Sequence, residues 1–481
     1  MSSGIRKYVS RYVVPFYFGY ENGEYESIRK HFVSNAIDNQ ALGLPKDGQW
    51  INAGFWENYK SDKGAQAEMD LYSYLPSIFL EETNKDEKDV SNLGVSFVYK
   101  TSGKLLELDY RCKEKSLAFD CRELGILLLR NGIGFIWYET QFKGEISIDE
   151  YVRFQHDFKE LARTHGEKFV KKIGFDKEKK EGIYESFCLG EWLSMAIAAD
   201  NLGIRFWAER ETKRENGDKV RIPDKALLFQ YLFIEQATDQ ERNDLVFRIA
   251  NGYDEKYNAP EDMGESLYKP FGNTCFYISK AEMACVVKYA ESNEPFFAGQ
   301  FREKFVRDYF FIYMLLSYQS YSCAYYSRLL TKLPADERLF NKKPVYIDKL
   351  ESLNGQINLF LVKSVFESVS NIHHQNGVYR YGKTSLCVEE DIQSLTVGLD
   401  ALKDMEKEKR DRKVDFAVLM LSFLVFVSAW IDGLSLVDWI ACMLKSDGII
   451  GHMVELLVVG VIALSPAIYL LYTLFWSCKK K

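Results

Sequence analysis

Residues Gly377-Val-Tyr-Arg-Tyr-Gly382-Lys383-Thr384 have the G-x-x-x-x-G-K-[ST] spacing of a phosphate-binding loop. That chemistry needs a strand before the loop and a helix after it, so that free backbone amides wrap the phosphates. Here the preceding FESVSNIHHQ reads as helix, and the loop is filled by Tyr379, Arg380 and Tyr381. No aspartate-ended apolar strand is at hand to hold magnesium. The segment is expected to connect two helices, with a nucleotide site as the lesser alternative. His373 and His374 are adjacent, so on a helix they point about 100° apart and do not face one ion together. The nine cysteines form no CxxC pair and no zinc spacing. GxSxG, HExxH and calcium-loop patterns are also missing. The residues name no catalytic site, and a non-enzymatic protein is expected. The only inorganic partner foreseen is Mg2+ or another divalent cation, as a permeant or regulatory ion. The net charge of -7 argues against direct nucleic-acid binding.

A second group of residues suggests ion conduction. Two apolar segments, Phe416–Ile431 and Leu456–Cys478, contain no charge. A bilayer core takes roughly 20 apolar helical residues. The second segment meets that length, and the first reaches it with Val414 and snorkelling of Asp415 and Lys413. Lys407, Lys409, Arg410, Arg412 and Lys413 precede the pair, and Lys479–Lys481 follow it. The connection 432–455 has Lys445 against Asp432, Asp438, Asp447 and Glu455. The positive-inside rule therefore places both termini in the cytoplasm, in a multi-pass protein of the inner (cytoplasmic) membrane. In an oligomer around an axis, those four carboxylates would form cation-attracting rings at the outer mouth.

These segments must be positioned by what precedes them. The expected fold class is an α+β cytosolic domain, followed by a long α-helical stalk and a C-terminal two-helix transmembrane hairpin. The domains are a sensor-like body (1–296), a helical stalk region (297–413) and the hairpin (414–478). Strands are expected at Arg11–Gly19, Val95–Lys100 and Leu105–Tyr110. Asp120-Cys-Arg-Glu123 reads as a capping box opening a helix to Arg130, closed by Asn131-Gly132. Ile133–Thr140 reads as a strand, and Ser147-Ile-Asp-Glu150 opens a helix to about Arg163. Gly166–Gly182 reads as a solvated loop or helix end. Tyr184–Asp200 reads as a helix stopped by Asn201-Leu-Gly203, before a strand at Ile204–Ala208. The similar phrases NGIGFIW and NLGIRFW raise duplication of a helix–strand unit as an alternative to chance.

Phe301–Leu330 reads as a long helix. Tyr309–Tyr326 within it has eighteen residues and no charge. Its Tyr, Ser and Gln content makes it a buried aromatic helix rather than a third span. After a link at Lys332–Pro344, a helix is expected over Val345–Ile372, a break at Gly377–Gly382, and a last helix from Ser385. Val388, Ile392, Leu395, Leu399 and Leu402 are spaced as a short coiled-coil seam. No Pro or Gly separates that helix from Phe416. Continuing the seam puts Lys409 and Lys413 in a cytosolic basic collar. It puts Phe416, Met420, Phe423, Val427 and Trp430 either along a pore that closes by dewetting or, equally compatible with the sequence, against lipid or a neighbouring helix.

The order of body, stalk helix, first span, short outer connection, second span and basic tail resembles the CorA-like metal ion transporters over Phe297–Lys481. The resemblance implies a homo-oligomer, a pentamer, whose first span lines the pore. The family's Gly-Met-Asn signature should follow that span. Ile431-Asp432-Gly433-Leu434 stands there instead, which removes the motif on which magnesium selectivity would rest. LGILLLRNGIGFIWYE is similar to the N-terminal region of divergent CorA-like membrane effectors of type III CRISPR defence. That likeness implies gating by a nucleotide second messenger bound to the body. Two other readings stay open: a housekeeping divalent-cation transporter, and a membrane-anchored binding protein or NTPase without a pore.

Overall fold

A computed structural model of the chain describes residues 4–443, apart from 20–21, 39–53, 59–69, 73–74, 76–78, 80–92, 102–104, 113–114, 163–167, 177–180, 214–218, 236, 254–256, 258, 261, 281 and 336–342. The chain divides into two compact units, 1–395 and 396–481.

The first unit is an α+β body built on a twelve-stranded sheet among the described residues. Its centre is β1 (Ile5–Tyr17), which pairs antiparallel with β6 (Ile133–Phe142) on one side and β12 (Leu227–Ile234) on the other. Beyond β6 lies β5 (Lys115–Leu129). β5 pairs with both β3 (Gly94–Thr101) and β4 (Leu106–Cys112), and β3 pairs with β2 (Gly54–Asn58). A hairpin of β7 (Phe169–Asp176) and β8 (Glu181–Ser186) extends the β4 edge. On the other side, β14 (Glu282–Lys288) pairs parallel with β12 and antiparallel with β13 (Thr274–Ile278). The two-residue β9 (Arg205–Phe206) joins β1, and β10 (Glu209–Lys213) with β11 (Lys219–Pro223) forms a separate hairpin.

Helices cover both faces, so the central strands read as nearly continuous apolar runs. On one face, Tyr12 and Phe119 pack edge-on against Phe158 and Phe154 of α2 (Ile148–Phe158). That side also carries α3 (Leu189–Ala196) and α4 (Asp239–Asn251). On the other face, Phe229 stacks on Phe305 at 4.4 Å, and Phe135 and Trp137 meet Tyr321 and Phe310. These partners belong to a helical run with two π segments, Phe296–Gln300 and Phe305–Tyr309. They flank α6 (Phe301–Lys304), and α7 (Phe310–Ala335) follows. The buried reading of Tyr309–Tyr326 therefore holds. Two further helices, α1 (Asn22–Asp38) and the single-turn α5 (Met263–Ser266), complete the elements before α7. After it come α8 (Lys343–Ser364), α9 (His373–Ser385) and α10 (Val388–Met443).

Several expectations are corrected. Asp120–Leu129 belongs to strand β5, not to a helix. Its apolar stretch is buried on both sheet faces, and Gly125 lies against the Trp137 ring with no room for a Cβ. Asn131-Gly132 does turn the chain, with Gly132 at φ 86°, but it joins β5 to β6. The two similar phrases are thus a strand–turn–strand and a helix–turn–short strand, not one duplicated unit. Within 166–182, Phe169–Asp176 is strand. The Tyr184 region is helical only over Leu189–Ala196, and the next strand only over Arg205–Phe206. The Ser147 capping box forms with both of its hydrogen bonds, and its helix ends at Phe158. α8 ends at Ser364 rather than Ile372. The break expected at Gly377–Gly382 lies instead at Leu386-Cys387, where Cys387 is left-handed at φ 54°.

Candidate functional site

The phosphate-loop pattern falls inside α9. Helical amides are committed to carbonyls one turn back, so they are not free to wrap a phosphate. The two glycines serve packing instead. A Cβ on Gly377 would meet the Tyr268 hydroxyl, and one on Gly382 the Leu316 side chain. Lys383 pairs with Glu389 at 2.5 Å. His373 is exposed and His374 half-buried, as adjacent helical positions require.

His374 belongs to a polar cluster at the second π segment. Asp308 is fully buried there. It accepts from Arg307 Nε at 2.8 Å and from Gln375 Nε2 at 3.3 Å. Burial nevertheless raises its pKa, against the pull of Arg307. Lys304 pairs with Asp70. Burial holds Tyr309 protonated, and its hydroxyl shares a hydrogen bond with His374 Nδ1 at 2.6 Å. Burial also lowers the pKa of His374, which favours the neutral ring. With its partners committed, this set fastens α9 and Asp70 to the π segment. Among the described residues no group of His, Cys, Asp and Glu could hold a metal ion.

Beside it, Arg11 crosses from the sheet. Its guanidinium pairs with Glu139 at 3.0 Å and Glu123 at 2.9 Å, and donates to Val306 O at 2.9 Å. A π turn leaves a carbonyl short of its helical donor, and Arg11 supplies one. The guanidinium also lies over the Phe310 ring. The adjoining cavity of about 220 Å³ is walled mainly by Phe79, Leu127, Trp137, Phe310, Phe311 and Met314.

The pore residues expected from the sequence lie on α10 as far as it is described. Phe416, Met420 and Phe423 are exposed by 64, 47 and 37%, and Val427 is half-buried. Val414, Val418, Leu421, Leu424 and Val425, off the seam, are exposed by 54–65%. The apolar surface thus runs round the helix rather than along one stripe. The side chains of Lys409, Lys413, Trp430, Asp432 and Asp438 lie outside the described residues, as do Asp447, Glu455 and the whole segment Leu456–Cys478. Among the described residues no helix is long and apolar enough to cross a membrane. Val388, Leu395, Leu399 and Leu402 are already buried within the single chain, and Ile392 is half-buried.

Sequence reasoning missed a cleft of about 510 Å³ at the start of β1. Arg6, Lys7, Arg122 and Arg302 line it, with Glu145 the one carboxylate among its lining residues. These cations lie far apart in the chain, and only the sheet register and the π-helical run bring them together. No family model, no curated protein and no solved structure matches the chain.

Proposed function

We propose that the chain is an oligomeric, ligand-gated cation channel of the CorA-like kind. In this reading the α+β body senses the ligand, and the pair 414–431 and 456–478 crosses the cytoplasmic membrane with both termini inside. The observation that carries it is the apolar surface round Phe416–Val425, because a helix apolar on every side needs either lipid or protein around it. The described stretch is shorter than a bilayer requires, and the uncharged sequence to Ile431 extends it toward that length. Phe416, Met420, Phe423, Val427 and Trp430 would form the throat, and Asp432, Asp438, Asp447 and Glu455 would gather cations outside it. A pentamer, a nucleotide messenger and an antiviral defence role rest on the family resemblance.

One observation favours a membrane-anchored protein without a pore. Val388 and Leu395, the seam positions of the first unit, are buried within it, so they do not require other copies. Conductance of the purified protein in planar bilayers, with and without a panel of nucleotide messengers, separates the readings. The channel reading expects current only with a messenger. It also expects Phe423→Ser/Val427→Ser to leak without one and to be toxic in cells. Steady magnesium-dependent flux would favour the transporter. Silence of both proteins under all conditions would leave the anchored reading.

A further inference from the structure

Four cations at one small cleft require an explanation that the fold itself does not give. Arg6 is accounted for: it pairs with Glu294 at 2.5 Å and Glu235 at 3.7 Å, and lies over the Tyr289 ring. Arg122 and Arg302 line the same cleft and have no hydrogen-bond or ion-pair partner among the described residues. Lys7 is exposed beside them. Glu145 is the single carboxylate set against these three. Like charges held at one concavity repel, so such a grouping stands ready for an anion.

The backbone is irregular where the cleft forms. The β1–β12 register breaks between Ile5 and Lys7. The β5–β6 register breaks between Cys121 and Leu124, at Arg122. The π segment Phe296–Gln300 contributes Ala298, and Arg302 follows one turn later. Bulges and π turns re-aim side chains and gather at functional sites. Here three of them deliver two arginines and a lysine to one place. Arginine presents a planar fork of donors suited to phosphate oxygens. The remaining wall includes Ile5, Ile146, Phe142 and the half-buried Tyr8. The Tyr8 hydroxyl already accepts from Phe142 N–H at 2.6 Å, so its ring offers mainly apolar surface. The volume is that of a small-molecule site rather than of a flat electrostatic patch.

We propose that this cleft binds a small, soluble phosphorylated organic molecule, with Arg122 and Arg302 holding its phosphates and Lys7 adding charge. The proposal deepens the ligand-gated reading and rests on it for the consequence of binding, though not for binding itself. The test uses the full chain in neutral-lipid nanodiscs, with pyrophosphate and ATP as probes, by calorimetry and thermal shift at physiological salt. Binding is expected for both, tighter for ATP because it also reaches the apolar wall. Each arginine removed, as Arg122→Gln or Arg302→Gln, should weaken binding about tenfold or more. Arg122→Lys/Arg302→Lys should fold, keep the charge, and still bind more weakly than the native chain. Lys219→Gln, a cation on the β10–β11 hairpin that pairs with Glu211, should change nothing. No binding of either probe at millimolar concentration would overturn the proposal. So would an equal loss on Lys219→Gln, which would mark diffuse attraction. Binding at the cleft without any effect on conductance would uphold the site and refute the gating. Messenger-gated current that survives Arg122→Gln/Arg302→Gln would do the reverse.

Discussion

Two uncharged helical runs in this chain have opposite fates. Tyr309–Tyr326 is packed between the sheet and α8 and α9, and several of its polar groups bond elsewhere in the body. Gln319 donates to Ser364 O at 2.6 Å and to Tyr379 OH at 2.8 Å. Asn131 donates to Ser322 at 3.0 Å, and Tyr325 donates to Phe18 O at 3.1 Å. Phe416–Ile431 shows the other pattern. Its described aliphatic side chains are largely exposed, and Ser422 returns its hydroxyl to Val418 O of its own helix at 2.8 Å. A polar group that bonds its own turn needs neither water nor a neighbour. Freedom from charge therefore does not by itself decide whether a helical run is buried in the body. What differs between these two runs is how far their apolar side chains are covered.

The largest expected effect tests that contrast directly. An aspartate at the centre of a span costs about 2.5–3.5 kcal/mol of insertion free energy. Leu421→Asp should therefore sharply reduce the alkali-resistant membrane fraction. Leu316→Asp should instead unfold the body while leaving the protein in the membrane. An unchanged fraction for Leu421→Asp would end the lipid-facing reading. Next comes the fastening of sheet to helix: Arg11→Met strands Glu123 and Glu139. Breaking a buried ion pair from one side costs about 3–5 kcal/mol. Chemical denaturation should register a loss of that order, and a loss below ~1 kcal/mol would mean that the pairs are solvated.

Gly382→Ala should cost about 1–3 kcal/mol by overpacking, partly offset by better helix propensity. Its Cβ would lie 2.3 Å from Leu316 Cδ1 and 3.2 Å from Ile278 Cδ1. A more stable Ala variant would contradict this seating of α9. The smallest effect is acid sensitivity. Burial lowers the pKa of His374 from its ordinary 6.5, so the unfolded chain takes up the proton first. That contribution is fully present above pH 6.5 and is lost as the pH falls below it. The melting midpoint should drop on acidification, and His374→Gln should flatten part of the slope. An unchanged slope would mean that His374 is as free to protonate in the folded chain as in the unfolded one.

Local signals were legible where one short stretch decides the outcome. Ser147 and Glu150 close a capping box that needs nothing beyond its own turn. Gly132 and Gly203, at φ 86° and 66°, do turn the chain. The same acidic box at Asp120–Glu123 misled, because a strand buried on both faces shows no period and its run of leucines suits a helix equally well. The Gly377–Thr384 pattern misled for a related reason: its glycines answer to Tyr268 and Leu316, which sequence spacing cannot reveal. The cationic cleft was out of reach altogether. Arg122 and Arg302 are separated by 180 positions, and their meeting depends on register shifts that no composition encodes.

The π segment Phe305–Tyr309 has a bearing on how the chain tolerates change in length. A π turn is the form a helix takes when it absorbs one extra residue and keeps its later turns in phase. Upstream, the helix presents Arg302 to the cleft; downstream, it presents Phe310 and Tyr313 to Phe229. Deleting one residue within the segment would therefore restore ordinary winding with both surfaces still in phase, whereas the same deletion in the regular helix α7 would rotate what lies on either side of it by about 100°. The segment is thus a phase adjuster, and a one-residue deletion there should harm the body less than a one-residue deletion in the first turns of α7.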